Sequence, residues 1–410
     1  MWKPGLPYKL LLVLMALSLG CQQSAPTTTA TEPRETGTGS ERFDKNSYAP
    51  ASDSEIAEFG RQVAAAVDGR DIDVLDELVD WQYILRRSTE TIESSREFKS
   101  QYLEITGSVS TRPIFEAWLT TIVNGGSFTF LGARNLNGQA SALFRIIQPS
   151  SSLNYCDLRV GKSINGDLKC TDLRVFTTGE YLSEQFRNDF RLLVAKYEGG
   201  DSTPEFDALI NHAHEFAEIA KAARNDDGEL ACELIEKLPS VLQTNRKVLI
   251  TKMRACENLG EEAWLSAIRE FMDQYPNDAT TQLFAIQANI LIKHHDTALQ
   301  LLEELDEAIG GDPYLDALRA DQLFEKSDFQ SAKRVAIEVT EEEEGLDLAY
   351  WILTKVAVEE GAFADAVKWL EMQHGVEGRM EAIEEALHEN AEFLHSAEFQ
   401  KWKQRQNLGR

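Results

Sequence analysis

The sequence predicts two unlike folded parts, an α+β domain over residues 51–200 and an all-α domain of repeated helix pairs over residues 204–410. Three observations carry that reading. Helical apolar spacing gives way near residue 123 to strand-like runs folded about Asn137-Gly138 and Asn165-Gly166, a strong hairpin signal. After residue 204 a small or apolar residue recurs every 33 or 34 positions. The charge also divides: residues 201–410 carry 43 acidic and 20 basic side chains, a balance of −23, against 25 and 21 in residues 1–200, a balance of −4. The chain of 410 residues has a net charge of −27, which excludes nucleic acid and anionic lipid headgroups as partners, because both need a basic surface. Its 43% hydrophobic content is enough for most of it to fold.

Residues 1–20 read as an export signal. Lys3 and Lys9 form a basic start, and the apolar run Leu10–Leu19 is too short to span a bilayer, which takes ~20 residues. The tetrad Ser18-Leu19-Gly20-Cys21 resembles a bacterial lipobox, with Leu17 one place earlier than usual and Leu19 where a small residue is usual. The resemblance implies cleavage after Gly20 and lipid on Cys21. With Gln22 rather than Asp next, it implies the outer membrane where the cell has one, facing the periplasm. Residues 21–50 are rich in Ser, Thr, Gly, Pro and Glu and carry too few apolar side chains to offset the entropy of ordering. They are expected to be a tether spanning roughly 30 Å.

In the α+β domain, Ile56, Phe59, Val63 and Val67 share a helix face up to the break at Asp68-Gly69-Arg70-Asp71, and Ile72, Leu75, Leu78, Val79 and Tyr83 continue it. A third helix covers Ile114–Val123, entered through Pro113. Four strands follow. With Asn165 and Gly166 as the two central turn residues, Cys156 pairs with Val175, Leu158 with Leu173 and Val160 with Thr171 on one face. On the other, Asp157 meets Arg174 and Arg159 meets Asp172. A slip of one residue destroys every one of these matches. The same register puts Cys156 and Cys170 on opposite faces, so they are expected not to bridge unless a bulge intervenes.

Helices followed by a curved antiparallel sheet, closing on Leu173-Arg174-Val175-Phe176-Thr177-Thr178-Gly179-Glu180, resemble the nuclear transport factor 2-like fold, an α+β cone, over about 150 residues. The resemblance implies an interior that can hold a small ligand or an active site. Residues 51–200 contain no histidine, the commonest general base. Asp157, Asp172 and Tyr155 remain as acid–base candidates, with charged cross-strand pairs and a core tyrosine as the simpler account of them. Trp81, Trp118, Phe128, Phe130 and Phe144 line either a pocket or plain core.

In the second domain Ala231, Leu265, Ala298, Ala332 and Ala366 open the second helix of successive pairs. Gly260 and Gly361 lie five residues before their markers, and Phe329 and Phe363 three before theirs. This helix-turn-helix period resembles the tetratricopeptide repeat. The resemblance implies an all-α superhelix of about five pairs whose first helices line a groove for a peptide or helix of a protein partner. Residues 376–394 and Ala397–Gln406 are expected to cap the last pair. The expected groove residues are Arg254, Gln282, Asn289, Asp321, Phe324, Trp351, Lys355 and Glu359. Cys232 and Cys256 fall on neighbouring helices, where either a bridge or a close helix contact suits them. His388, Glu392 and His395 share a helix face at metal-ligand spacing, which ordinary cap-helix residues also produce. No catalytic residue, metal or cofactor is assigned.

Together these readings describe a lipid-anchored cell-envelope scaffold rather than an enzyme, joined to the membrane through Cys21 and to a protein partner through its groove. The alternative is a ligand-binding or enzymatic cone with the repeats as a docking module. It requires a deep pocket holding a buried acid of shifted pKa.

Overall fold

The computed structural model describes residues 48–108, 112–136, 139–148, 152–199, 203–225, 227–257, 259–276, 279–373 and 380–408. The expected signal peptide, Cys21, most of the tether and the turn Asn137-Gly138 lie outside the described residues. Contacts divide the chain into two compact units, one ending at Phe284 and one covering Ala285–Arg410.

The described residues of the first unit start within the expected tether. β1 (Tyr48–Pro50) pairs antiparallel with a longer strand, Ala49 opposite Lys162. Tyr48 secures it: the hydroxyl donates to Asp80 at 2.7 Å, and the ring meets Tyr83 edge-on at 5.0 Å. α1 (Asp53–Asp68) starts at Ser52, which exchanges bonds with Glu55 in a capping box. Its buried face is the expected one, and Gly60 lies against the Phe130 ring. α2 (Ile72–Leu78) follows the break, but the helical face does not run on through Tyr83. Asp80 caps a new helix, α3 (Trp81–Thr89), by accepting from the Tyr83 amide at 2.8 Å. α4 (Arg96–Ser108) is a further helix, and α5 (Arg112–Val123) is the third one expected.

β2 (Ser127–Leu136), β3 (Gln139–Ile147), β4 (Leu153–Ser163) and β5 (Leu168–Val175) pair antiparallel in chain order, and β1 fills the edge of β4 beyond the end of β3. One face, with Phe144 opposite Cys156 and Cys156 opposite Val175, packs on the helices around Phe59, Phe115, Trp118, Phe128 and Phe190.

The outer pairs of β4 and β5 are the expected ones, from Cys156 with Val175 to Arg159 with Asp172. The turn is not. The Ser163 amide donates to the Asp167 carbonyl at 2.8 Å across Ile164-Asn165-Gly166, a three-residue loop with Gly166 at φ 92°. A bulge between Arg159 and Val160 absorbs the resulting shift, so Val160 faces Cys170 instead of Thr171. Cys170 therefore lies in the same core as Cys156, not on the opposite face. Both are free thiols, and separation rather than facing is the reason. Cys170 stands opposite Val160, four residues along from Cys156; at ~3.3 Å per residue that is roughly 13 Å, beyond the Cα spacing of a disulfide.

A 3₁₀ turn (Phe176–Thr178) and α6 (Leu182–Tyr197) complete the α+β part, α6 adding Phe186, Phe190 and Leu193 to its core. The first unit continues with α7 (Pro204–Asn211), α8 (Ala213–Arg224), α9 (Gly228–Glu236), α10 (Ser240–Gln243), α11 (Arg246–Glu257) and α12 (Glu261–Gln274). α13 (Ala279–Leu291) spans the division. The second unit holds α14 (His295–Ile309), α15 (Pro313–Glu325), α16 (Phe329–Glu342), α17 (Asp347–Glu359) and α18 (Phe363–Glu371). α19 (Met380–Ala386), α20 (Ala391–Leu394) and α21 (Ala397–Leu408) end it, with Phe393, Phe399 and Trp402 fully buried against Ala366 and Leu370.

The helices of successive pairs are joined by one kind of turn. Before α14, α16 and α18, Lys293, Ser327 and Gly361 have φ of 57°, 62° and 70°. The next amide donates back five residues, from His294 to Asn289, Asp328 to Leu323 and Ala362 to Ala357, the closure of a Schellman motif. Four residues past the N-caps stand Ala231, Trp264, Ala298, Ala332 and Ala366, and all four alanines are fully buried. The second marker is thus Trp264 and not Leu265, because Gly260, at φ 105°, starts that helix one residue earlier than the spacing suggests.

The division between units falls far beyond the expected linker near residue 204. The first helix pairs are bonded to the α+β part: Lys247 meets Asp189 at 3.3 Å, and the Thr280 hydroxyl donates to the Phe176 carbonyl at 2.9 Å. Arg246 donates both to Thr280, at 2.8 Å, and to the Thr178 carbonyl.

Candidate functional site

The residues expected to line one groove are distributed over both units. Arg254 and Gln282 belong to the first, and Asn289, Asp321, Phe324, Trp351, Lys355 and Glu359 to the second. Of the latter, α15 and α17 bring three together. The Lys355 ammonium lies 2.8 Å from Asp321 and 3.8 Å from Glu325, and 4.4 Å from the centre of the Phe324 ring. Asp321 and Lys355 are 34 residues apart and are brought together by α15 and α17. With side chains 16% and 25% exposed, the lysine and aspartate form a partly desolvated pair reinforced by cation–π attraction. Glu359 is exposed and accepts from Asn390 at 3.1 Å. Glu325 stands outside the expected set although it lies 34 residues before Glu359, the signal that identifies it.

The remaining expected residues do other things. Asn289 donates to the Ala285 carbonyl of its own helix at 2.7 Å, and Gln282 is half-buried. Trp351 is half-buried against the apolar cluster of Phe393, Phe399 and Trp402. Arg254 sits at a cavity of about 100 Å³ lined by Trp118, Gln148, Asn154, Leu182 and Gln185 among others. That volume is below the ~300 Å³ at which drug-sized ligand pockets begin.

The acid–base candidates lie on the opposite face of the sheet. Asp157 is fully buried, accepts from the Tyr181 hydroxyl and lies 3.4 Å from Arg174. Asp172, also fully buried, accepts from the Ser183 hydroxyl at 2.6 Å and lies 3.6 Å from Arg159, whose guanidinium stacks 3.4 Å from the centre of the Tyr181 ring. Burial pushes the Asp172 carboxyl above the usual range, while the Ser183 donors and Arg159 hold it down. Burial and the neighbouring Asp157 raise the Tyr181 hydroxyl. Tyr155 faces the same way, fully buried, with its ring 5.4 Å from that of Phe176. The cavity lining contains no carboxylate, so the buried acids and the cavity do not form one site.

Among the described residues no group of three or more His, Cys, Asp or Glu comes together to hold a metal. His388, Glu392 and His395 do not share a helix face: α19 ends at Ala386 and α20 is a separate turn, Ala391–Leu394. Among the same residues, no helix is long and apolar enough to cross a membrane. No protein-family model matches the chain, and no curated protein matches it.

Proposed function

We propose that the protein is a lipid-anchored scaffold of the bacterial cell envelope. Its helical part, about five tetratricopeptide-like pairs with a cap, holds a protein segment along its first helices, and a cone-like α+β part carries that array. The observation that supports this reading is the strip formed by Asp321, Phe324, Glu325, Lys355 and Glu359, five residues of consecutive first helices. It offers three carboxylates and an aromatic ring against a single ammonium, which suits a segment bearing Lys or Arg beside an apolar side chain. Lipid on Cys21 sets the location, and the tether gives reach. The acidic balance of the helical half keeps it off an anionic membrane surface.

The test is an affinity pull-down from detergent-solubilised cells with the full lipidated chain, comparing wild type with Glu325→Gln, Glu359→Gln. Both carboxylates are exposed, and the replacements keep their size. A partner whose recovery drops about tenfold with the variant, the loss of ~1.4 kcal/mol, supports the strip as the binding surface. Unchanged recovery overturns it. Separately, Cys21→Ser is expected to move the chain from the membrane to the soluble fraction, and retention at the membrane removes the anchor from the reading.

A further inference from the structure

We infer that Cys232 and Cys256 are a disulfide-forming pair that ties α9 to α11, and with them the first helix pair to the second. The two helices meet across residues too small to hold them apart. At Gly228 a Cβ would stand 2.2 Å from the Ala255 carbonyl oxygen. Ala222, Ala231 and Ala255 form a buried cluster against which Cys232 packs. One turn beyond Gly228, the Cys232 Sγ lies 3.3 Å from the Cys256 Sγ. A bonded pair has its sulfurs ~2.05 Å apart, so the two sulfurs have only about 1 Å to close. Close packing alone does not call for sulfur here, since alanine serves at three neighbouring positions of the same contact.

The surroundings set the order of thiol–disulfide exchange. Lys252, one turn before Cys256, is paired with Glu270 at 2.6 Å, and its ammonium only partly offsets the rise of the Cys256 thiol. Cys256 is buried, and its thiol is pushed up to about 12 by burial and by the bond to Cys232. The half-buried Cys232 therefore meets the oxidant first. The oxidant is another disulfide, either a small molecule or an oxidoreductase. The Cys232 thiolate attacks one of its sulfurs, the S–S bond breaks, and the first leaving thiolate takes up the proton that Cys232 gave. Cys256 then loses its proton and attacks the Cys232 sulfur of the mixed disulfide, and the second leaving thiolate takes that proton. Two protein thiols are oxidised, and one disulfide is reduced to two thiols.

The full chain, incubated with oxidised glutathione and then mapped by mass spectrometry without reduction, should yield a linked peptide pair containing Cys232 and Cys256, with Cys156 and Cys170 still free thiols. Dithiothreitol should then lower the thermal midpoint of the first unit by roughly 5–10 °C, and Cys232→Ser should abolish that difference. Free Cys232 and Cys256 after treatment, a glutathione adduct that persists on Cys232, or chains cross-linked through Cys232 would each overturn the pairing. Because the mapping uses the wild-type chain, it decides the matter even if the variant does not fold.

Discussion

Gly228 has no room for a methyl group. The atom in the way is the Ala255 carbonyl oxygen, part of a helix backbone that cannot rotate aside. At Gly60 a Cβ would also meet an obstacle, 2.1 Å away, but there it is the half-buried ring of Phe130, which can turn. Gly228→Ala is therefore expected to destabilise the first unit by about 2–3 kcal/mol, and Gly60→Ala by about 1 kcal/mol. Urea unfolding with an unchanged slope checks both, and a larger loss at Gly60 would contradict the distinction between backbone and ring. Charge acts as locally at Glu55. Its carboxylate takes the Lys162 ammonium at 2.6 Å and then the amide and hydroxyl of Ser52, which lower its pKa from 4.5 to about 2. A folded-state pKa below the unfolded one contributes stability that is present above pH 4.5 and lost as the pH falls toward 2. An NMR titration of Glu55 should show the low midpoint, and Lys162→Met should return it toward 4.5. An ordinary midpoint in the wild type would mean that Lys162 does not hold it.

Between helices, one turn recurs with different residues in its left-handed position. Gly361 takes that conformation freely, whereas Lys293 and Ser327 carry a Cβ into it. Ser327 is exposed, so Ser327→Gly is expected to stabilise the second unit by roughly 0.5–1 kcal/mol, the relief of strain being partly offset by the greater freedom of glycine in the unfolded chain. A thermal midpoint that falls instead would show that the turn is not strained. From sequence this turn can be read only at Gly361, because lysine and serine give no sign of a positive φ. The limits elsewhere have similar physical causes. Alternating charges on β4 and β5 constrain which face each residue occupies, so the outer pairs are legible. The Asn-Gly turn does not state the loop length, and no residue type marks the bulge, which is why the face of Cys170 reads wrongly. Buried alanines mark a regular spacing wherever a methyl is all that the helix contact admits, and Trp264 hides that spacing at the pair entered through Gly260. Spacing alone pairs Asp321 with Lys355. The packing of Trp351 depends on Phe399 and Trp402 of α21, a contact that no spacing within the repeats announces.

Composition places the start of the helical part near residue 204, where α7 does begin, while contacts divide the chain into its two units at 284/285, and Arg246 is the clearest reason. Its guanidinium joins the Thr178 carbonyl of the 3₁₀ turn to the Thr280 hydroxyl, which in turn donates to the Phe176 carbonyl. Thr280 is fully buried, so water is poorly placed to replace the lost donor. Arg246→Ala is expected to cost the first unit about 1–3 kcal/mol and to speed hydrogen exchange of the segment Phe176–Thr178 by roughly tenfold or more, since each ~1.4 kcal/mol is a factor of ten in a local opening equilibrium. Lys247→Ala should act in the same direction, because Asp189, its partner at 3.3 Å, has a side chain only 5% exposed. The peptides of α15 to α18 report on the second unit and are expected to keep their protection in both variants. If instead they lose it in step with Phe176–Thr178, the whole chain opens as a single cooperative body. The division at 284/285 would then mark no boundary in stability.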